Sequence, residues 1–298
     1  MNERRADFII LFMLLYVTAN AQEKQTLDCG AKITTQSYLE VAGEMIKKAK
    51  DTNSNCPSQS AVTIDCETLL KSGNTKSKVY TVWPKSRVLD GKPVEVYCDM
   101  ETDGGGWTVI QRRGNYLGAK DHFFQDWEAY KNGFGNVEED FWLGNDNIFA
   151  LTNQRLYSLR IDLRDVEGNK TYAAYDSFWI DDDNHKYTLH VRGYSGDAGD
   201  SLIASHNNQK FSTKDQDHDT DADTNCAQSY KGGWWYSACH TSNLNGLYPR
   251  GKHESFADGV VWLSWKGYHE SMDTVEIKIR PKNFRKTVQT VDLDVTPQ

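Results

Sequence analysis

Apolar and polar residues alternate in three segments of the chain, and each alternation predicts a half-buried β-strand. In residues 159–164 the apolar positions are Leu159, Ile161 and Leu163, with polar residues between them. The same period of two runs through residues 187–192 and 274–279, with apolar Tyr187, Leu189, Val191, Val275, Ile277 and Ile279. Strands with one apolar and one polar face are typical of antiparallel sheets. We therefore predict an antiparallel sheet that is buried on one face.

Helical patterns are short and local. Residues 126–131 predict one helix, and a second is predicted after Asn147, which we place as its N-cap. Residues 36–50 carry one apolar stripe, interrupted by Gly43, at Leu39, Ala42, Ile46 and Ala49. Two heptads are too few for a coiled coil, but such a segment can help to assemble subunits. Residues 193–249 show no long period, and loop regions of this length are usually functional.

The N-terminus has the pattern of a secretory signal peptide. Arg4 and Arg5 precede an apolar run at residues 8–17, and Ala19 and Ala21 then supply the small residues of a cleavage site. The alternative is a buried N-terminal helix. No apolar run approaches the ~20 residues that span a bilayer. We therefore predict a signal peptide at residues 1–21 and a secreted, extracellular protein.

Composition argues against two classes of protein, nucleic-acid-binding and disordered, and the sequence adds one modification site. The 298 residues include 34 Lys and Arg against 42 Asp and Glu, a net charge of −8, which argues against nucleic-acid binding through bulk charge. Aromatic residues make up 12% of the chain, too many for a disordered protein. The sequon at Asn169 predicts glycosylation at the surface.

The six cysteines are expected to form disulfides, because an exported chain meets an oxidising compartment. Six cysteines allow 15 pairings. Cys226 and Cys239 are close enough in sequence to pair and to close a small loop rich in aromatic residues (Tyr230, Trp234, Trp235, Tyr236). Aromatic rings with backbone donors suit sugars. For Trp234 and Trp235 we favour the alternative, a place in the core.

Five aspartates alternate through an acidic loop at residues 215–223: Asp215, Asp217, Asp219, Asp221 and Asp223. Carboxylates this close repel one another unless a cation binds, and oxygen ligands suit Ca²⁺. The spacing is not that of an EF-hand, because Thr220 stands where the motif has Gly and Cys226 where it has Glu. The alternative is a solvated acidic loop.

No catalytic motif is present. Cys239 and His240 are neighbours in sequence, which seldom gives nucleophile–base geometry, and a disulfide-bonded cysteine is no nucleophile. The Gly-rich residues 103–107 lack the Lys and Ser/Thr of a phosphate-binding loop. They are interpreted as a tight turn before a strand at residues 108–113. We therefore predict a protein that is not an enzyme.

Several motifs in order resemble a fibrinogen C-terminal (fibrinogen-related) domain. They are residues 96–113, 141–145, the acidic loop, residues 226–248 and residues 258–262, within a match at residues 62–284. The chain is most similar to the ficolins and tachylectin-type lectins at residues 211–217 and 235–246. The resemblance implies an α+β fold with a twisted antiparallel sheet, short helices and a long loop-rich ligand-binding subdomain. Residues 22–61 then form an N-terminal assembly segment and linker, and residues 285–298 a polar tail.

The resemblance also implies two disulfides, Cys66–Cys98 and Cys226–Cys239. Cys29 and Cys56 either pair locally or link subunits.

A Ca²⁺ site is implied at the side chains of Asp217 and Asp219 and at two carbonyls. The stretch from Asp219 to Cys226 is one residue longer than usual in the family. Counting forward from Asp219 assigns the carbonyls of Asp221 and Asp223. Counting back from Cys226 instead assigns those of Ala222 and Thr224.

An acetyl-binding pocket is implied beside the acidic loop. A cis peptide between Ala238 and Cys239 would direct the N–H groups of Cys239 and His240 at an acetyl oxygen. The implied ligand-binding residues are Tyr230, Cys239, His240, Asn243, Phe256 and Tyr268. Phe256 stands where some lectins carry Tyr.

The favoured function is a secreted, Ca²⁺-dependent, non-catalytic lectin for acetylated sugars of the N-acetylglucosamine or N-acetylgalactosamine type on microbial or cell surfaces, acting in innate immunity. Weak single pockets favour a homo-oligomer. No Gly-X-Y repeat is present, so a ficolin-like collagen stalk is excluded. The alternative is a fibrinogen-like extracellular ligand or matrix protein that binds a receptor, because fold does not fix function.

Overall fold

The computed structural model describes residues 63–116 and 122–284. The predicted signal peptide, the assembly segment with Cys29 and Cys56, and the polar tail lie outside the described residues.

Nine strands form the main antiparallel sheet, as the alternating segments predict. Its principal order is β1-β2-β3-β13-β6-β7-β8, with β5 paired to β3 and β4. The strands are β1 (Lys78–Val82), β2 (Val94–Asp99), β3 (Trp107–Arg113), β4 (Phe134–Gly135), β5 (Phe141–Trp142), β6 (Tyr157–Arg164), β7 (Lys170–Ile180), β8 (Leu189–Gly196) and β13 (Thr274–Pro281). Two short pairs, β9 (Ser242–Asn243) with β11 (Val261–Trp262) and β10 (Gly251–Lys252) with β12 (Glu270–Ser271), lie outside it.

The period of two in the sequence becomes the two faces of this sheet. Along β6, buried and half-buried residues alternate from end to end. Leu159, Ile161 and Ile277 belong to the main hydrophobic core. The three predicted strands are therefore confirmed as β6, β8 and β13, except that Tyr187 precedes β8 and has a φ of 48°.

The described residues contain six short α-helices, of which the first precedes β1 and the others lie between strands. They are α1 (Cys66–Lys71), α2 (Trp127–Asn132), α3 (Asn145–Thr152), α4 (Ile203–His206), α5 (Cys226–Ser229) and α6 (Leu263–Lys266). The helix predicted at residues 126–131 is α2, and the Asp126 side chain caps it by accepting from the Ala129 N–H. The prediction of Asn147 as an N-cap was wrong. The N-cap of α3 is Gly144, three residues earlier, and the Asn147 amide donates to the Leu143 carbonyl at 2.8 Å.

The Gly-rich residues before β3 form the predicted turn. Asp103 and the three glycines that follow all have positive φ, a conformation that glycine adopts without a steric penalty. A Cβ at Gly105 would overlap the Met100 carbonyl. The turn can therefore approach the end of β2 closely only because Gly occupies this position.

Both implied disulfides are present. Cys66–Cys98 joins the start of α1 to β2, and Cys226–Cys239 closes the loop after α5. The second bond fixes the end of the acidic loop beside the segment that follows Tyr236.

The loop-rich region is anchored to the sheet by two buried side chains of β3. The Gln111 amide donates to the Leu244 carbonyl at 2.9 Å, and the Arg113 guanidinium donates to the Gly246 carbonyl at 2.9 Å. Trp234 and Trp235 lie in the core beneath this region, 1% and 3% exposed, so the preference for a core role is confirmed. These hydrogen bonds hold the backbone at Leu244 and Gly246 against β3.

Two features of the described residues bear on the prediction that the protein is exported. Asn169 is exposed in the turn between β6 and β7, where a sequon must lie to be glycosylated, and its occupancy stays a prediction. Within the described ranges, no helix combines the length and the apolar character needed to cross a bilayer.

Candidate functional site

The acidic loop folds back on itself through its own carboxylates. Asp217 Oδ1 accepts the Asp219 N–H at 3.2 Å, and Asp219 Oδ1 accepts the Asp221 N–H at 2.9 Å. The second oxygen of Asp219 accepts the Cys226 N–H at 2.8 Å, at the start of α5. Asp219 therefore ties the acidic loop to the disulfide-closed segment.

Asp217 and Asp219 form the electrostatically uncompensated pair of the loop. Burial, followed by repulsion from the neighbouring Asp217 carboxylate, raises the pKa of Asp219 to about 6. Two carboxylates held together this way gain from a cation, and hard oxygen donors suit Ca²⁺. The donor chemistry of this pair therefore fits the implied metal.

The next two aspartates differ from that pair. Asp221 Oδ1 accepts the N–H groups of Asp223 and Thr224, at 3.0 and 3.2 Å, so its side chain closes the following turn. Asp223 is exposed. Within the described residues, none of the four carbonyls considered for the metal, those of Asp221, Ala222, Asp223 and Thr224, accepts a hydrogen bond. None of the four is therefore committed to a hydrogen bond, and the structure does not choose between the two assignments.

Asp215, the first aspartate of the series, has a structural role that the sequence did not indicate. Its Oδ1 accepts the Trp127 N–H at 2.9 Å and the Thr213 hydroxyl at 2.7 Å. It thereby binds the loop to the first turn of α2. This contact spans 88 positions in sequence, and no local pattern predicts it.

Two other acidic clusters contain groups that already have partners within the protein. Asp221 lies with Cys226 and Cys239, but both sulfur atoms are in the disulfide. Asp165, Glu167 and Glu270 also approach one another, yet the Lys266 ammonium lies 2.7 Å from Asp165 and 3.3 Å from Glu270. The lysine therefore pairs with two of the three carboxylates.

Two unused backbone donors, at Cys239 and His240, lie beside the acidic loop; together with the rings that pack on His240 we call them the pocket. The peptide between Ala238 and Cys239 is cis, as the resemblance implies. The Cys239 carbonyl accepts the Ser237 N–H at 2.8 Å. In the described part of the chain, neither the Cys239 N–H nor the His240 N–H donates a hydrogen bond. These two donors are available to an acceptor on a ligand.

Aromatic rings pack on the side chain of His240, next to the two donors. The His240 ring packs edge-on against Tyr230 at 4.4 Å and against Tyr268 at 5.8 Å. The Tyr268 hydroxyl donates to the His240 carbonyl at 2.9 Å. Phe256 packs 5.1 Å from Tyr268 and is 59% exposed, so it forms the outer lip. The structure thus brings together five of the six predicted ligand-binding residues: Tyr230, Cys239, His240, Phe256 and Tyr268.

His240 remains neutral in this environment. Burial is the main cause that lowers its pKa, to about 3, and the nearby His206 contributes. Neither ring nitrogen has a hydrogen-bond partner of good geometry in the described residues. A neutral ring among Tyr rings is suited to contact an acetyl methyl group.

Asn243, the sixth predicted residue, is not part of the pocket surface. It is fully buried, and its amide group donates to the Tyr230 carbonyl at 2.9 Å and accepts the Tyr236 hydroxyl at 2.6 Å. The prediction of direct ligand contact is therefore corrected. The hydrogen bond from the Asn243 amide to the Tyr230 carbonyl instead holds the Tyr230 backbone in place.

His206 organises the pocket segment and was missed by the sequence reasoning. This buried residue ends α4, and its Nδ1 lies 2.8 Å from the Trp235 carbonyl. Its Nε2 accepts the N–H groups of Thr241 and Ser242, at 3.1 and 3.2 Å. The single ring therefore holds both ends of the segment that carries the two unused donors.

Comparison with known proteins assigns the chain to a family. Residues 62–282 match the family described as fibrinogen beta and gamma chains, C-terminal globular domain. Techylectin-5A of Tachypleus tridentatus is 50% identical over 272 residues, which are 90% of this chain and 92% of that protein. A techylectin-like protein of Phoneutria nigriventer is 50% identical over 240 residues, 80% of this chain and 92% of that protein.

Solved structures have the same fold. The fibrinogen-like globe domain of human ANGPTL2 superposes with a TM-score of 0.70 at 42% identity and covers 74% of this chain and 99% of that chain. A lamprey fibrin D-dimer complexed with the peptide Gly-His-Arg-Pro-amide superposes with a TM-score of 0.68 at 26% identity, covering 99% of each chain.

Proposed function

This chain belongs to the fibrinogen C-terminal domain family, and on that premise we propose that it is a secreted, calcium-dependent lectin for acetylated sugars. The observation that carries the proposal is the pair of unused N–H groups at Cys239 and His240 inside a wall of aromatic rings. The similarity to two proteins named as techylectins supports it.

The pocket offers complementary groups to an acetamido substituent. The two N–H groups can donate to the acetyl oxygen, and the rings of Tyr230 and His240 can pack on the methyl group. The exposed ring of Phe256 is placed to contact the C–H face of the sugar. Binding rather than catalysis is expected, because Cys239 is in a disulfide and provides no nucleophile.

Asp217 and Asp219, with carbonyls from the following residues, are the groups that would hold Ca²⁺. Bound Ca²⁺ supplies positive charge between the two carboxylates and makes no contact with the sugar in this proposal. Asp219 transmits the effect through the chain itself, because its carboxylate also holds the Cys226 N–H at 2.8 Å. Fixing the loop in this way shapes the neighbouring pocket.

Single pockets of this kind are expected to be weak, so effective binding requires several subunits. We propose that residues 22–61 supply the assembly, through their helical stripe or through Cys29 and Cys56, to give a homo-oligomer in the extracellular space. Recognition of acetylated glycans on microbial or cell surfaces would then serve innate immunity.

The test of the lectin proposal is retention on an immobilised N-acetylglucosamine or N-acetylgalactosamine resin with Ca²⁺ present. The protein is expected to bind and to elute with the free acetylated sugar. Tyr268→Ala, which removes a pocket ring, should lose retention, whereas Trp83→Ala, which removes a partly exposed ring elsewhere, should keep it. Failure of the unmodified protein to bind, combined with capture by a receptor ectodomain, would favour the alternative function as a protein ligand.

Phe256→Tyr is expected to tighten sugar binding about fivefold, the gain from one added hydrogen bond of about 1 kcal/mol. Phe256 is exposed at the pocket lip, so the new hydroxyl can reach a ligand without entering the core. Phe256→Leu should weaken binding because it removes the ring. Titration calorimetry with N-acetylglucosamine measures both, and equal affinities in all three proteins would place this ring outside the binding surface.

A further inference from the structure

A second cavity lies on the solvated face of the main sheet. Its volume is about 480 Å³, and Arg160, Asp162, Glu276 and Lys278 are among its lining residues. Ligand pockets commonly measure roughly 300–1,000 Å³, so it can hold a sugar ring with a substituent. These residues alternate with the core-facing Ile161 and Ile277, and the cavity is therefore on the opposite face from the core.

Most charges in this cavity are neutralised within the protein. Asp162 and Glu276 are cross-strand neighbours, and the Lys278 ammonium lies 2.8 Å from each of them. Three further charges complete the network: Asp99 pairs with Lys278, Arg160 with Asp162, and Arg112 with Glu276. Three acids and three bases balance, so the middle of the cavity has little net attraction for an ion.

The next cross-strand pair of β6 and β7 on this face carries two charges of the same sign. Arg164 of β6 lies directly opposite Lys170 of β7, and like charges in such pairs repel. Asp273 neutralises Arg164 at 2.6 Å but also pairs with Arg250 at 2.6 Å. Lys170 is exposed and has no ion-pair partner among the described residues.

Positive charge therefore remains at this end of the cavity. Arg164 and Lys170 line this end of the cavity, and among the described residues the lining carboxylate beside them is Asp197; Asp273, which pairs with Arg164 and Arg250, is not a lining residue. Asp197 accepts the Thr171 hydroxyl at 2.7 Å. Two lining cations against one lining acid leave a local excess of one positive charge, in a chain whose net charge is −8.

We propose that this cavity is a second, anionic-glycan site, in which Arg164 and Lys170 bind a sulfate or carboxylate group on a sugar. Guanidinium groups bind such anions through charge-assisted hydrogen bonds. The remaining volume, lined by paired acids and bases, offers donors and acceptors to sugar hydroxyls. The site is separate from the acetyl pocket, so this inference does not depend on the proposed acetyl specificity.

The test uses glucose 6-sulfate, which carries no acetyl group, with glucose and inorganic sulfate as comparison probes. Titration calorimetry on the full-length protein, after enzymatic removal of N-glycans, should give a Kd of about 1 mM for glucose 6-sulfate. Binding should weaken with added salt. Glucose should not bind, and sulfate should bind at least fivefold more weakly than glucose 6-sulfate.

Arg164→Gln and Lys170→Gln should each weaken glucose 6-sulfate at least fivefold and leave N-acetylglucosamine binding unchanged. Lys170→Gln keeps the glycosylation sequon. The matched control is Lys210→Gln, which removes the same charge from an exposed position outside the cavity. Equal binding by the double variant Arg164→Gln/Lys170→Gln and the unmodified protein overturns the proposal, as does no binding at all. Equal affinities for inorganic sulfate and glucose 6-sulfate overturn its glycan part.

Discussion

Replacing Asp217 and Asp219 together by Asn is expected to abolish the stabilisation of this protein by Ca²⁺. At a Ca²⁺ concentration of about 100 times Kd, one site stabilises the folded state by about 2.7 kcal/mol. For a domain of this size that corresponds to roughly 5–10 °C in Tm, which differential scanning calorimetry with and without Ca²⁺ measures. The variant should show no such shift.

The physical reason is the charge of the pair. At Asp219 the two carboxylate oxygens accept the N–H groups of Asp221 and Cys226, so Asn, which has one oxygen, keeps only one of these two hydrogen bonds. It removes the repulsion that contributes to the raised pKa of Asp219. Without Ca²⁺ the lost hydrogen bond costs the variant about 1 kcal/mol, which relief of the repulsion partly offsets, so the Ca²⁺ shift is measured against the variant's own Ca²⁺-free Tm. Its retention on acetylated-sugar resin should fall at least tenfold.

The matched control is Glu138→Gln with Glu139→Gln, which removes two charges from an exposed turn between β4 and β5. This control should keep the full Ca²⁺ shift and the full sugar binding. A Ca²⁺ shift that survives in the Asp217 and Asp219 variant would rule out the acidic loop as the metal site. An unchanged sugar affinity with a lost Ca²⁺ shift would separate the metal from the pocket.

His206→Leu is expected to destabilise the fold and to weaken sugar binding together. Leu removes the partners of two buried N–H groups, at Thr241 and Ser242, and of the Trp235 carbonyl. Each buried polar group left without a partner costs about 1–3 kcal/mol, so we expect a loss of about 3–5 kcal/mol in the free energy of unfolding. The pocket segment loses its fixed ends, and sugar affinity should fall at least tenfold.

His206→Gln provides the rescue, because its side-chain oxygen can accept from the same two N–H groups. It should recover part of both the stability and the affinity. Thr152→Val is the matched control: it removes a buried hydroxyl, bonded to the Ile148 carbonyl at 2.9 Å, from α3 rather than from the pocket. It should lose stability and keep its sugar affinity. A His206→Leu protein that binds sugar normally while folded would contradict the positioning role.

Buried His206 is also expected to make the folded state less stable at acid pH. Burial lowers the pKa of His206 to about 4, below its ordinary value of about 6.5. Between these values the unfolded chain takes up a proton that the folded chain does not. Stability should therefore be complete above pH 6.5 and fall as pH decreases toward 4, by about 3 kcal/mol from this group. Urea unfolding at several pH values should show a smaller acid slope in His206→Gln.

Local sequence determined a large part of the architecture. The period of two at residues 159–163 and 275–279 predicted β6 and β13, because one face of each strand is packed against the core. The boundary of α3 was the local error. Asn147 has the right chemistry for a cap, but the chain turns at Gly144, with a φ of 102°.

The candidate site was predictable only as far as motifs extend along the chain. Residue identities at the acidic loop, Cys226, Cys239 and the Tyr rings carried the resemblance, and the structure brings those residues together. The role of Asn243 was not predictable in this way. Sequence could place it near the pocket, but only packing shows that its amide group is enclosed.

The sequence by itself thus determined the alternating strands, the turn before β3, the acidic loop and the set of rings around one disulfide. Tertiary structure alone decided which aspartate holds α2, which asparagine is buried and which histidine fixes the pocket. Asp215 reaches Trp127 across 88 positions, and His206 reaches Thr241 across 35. The physical reason is that a hydrogen bond depends on the distance between two atoms in space. When the two residues are far apart in sequence, the residues around each of them show no pattern that indicates the contact.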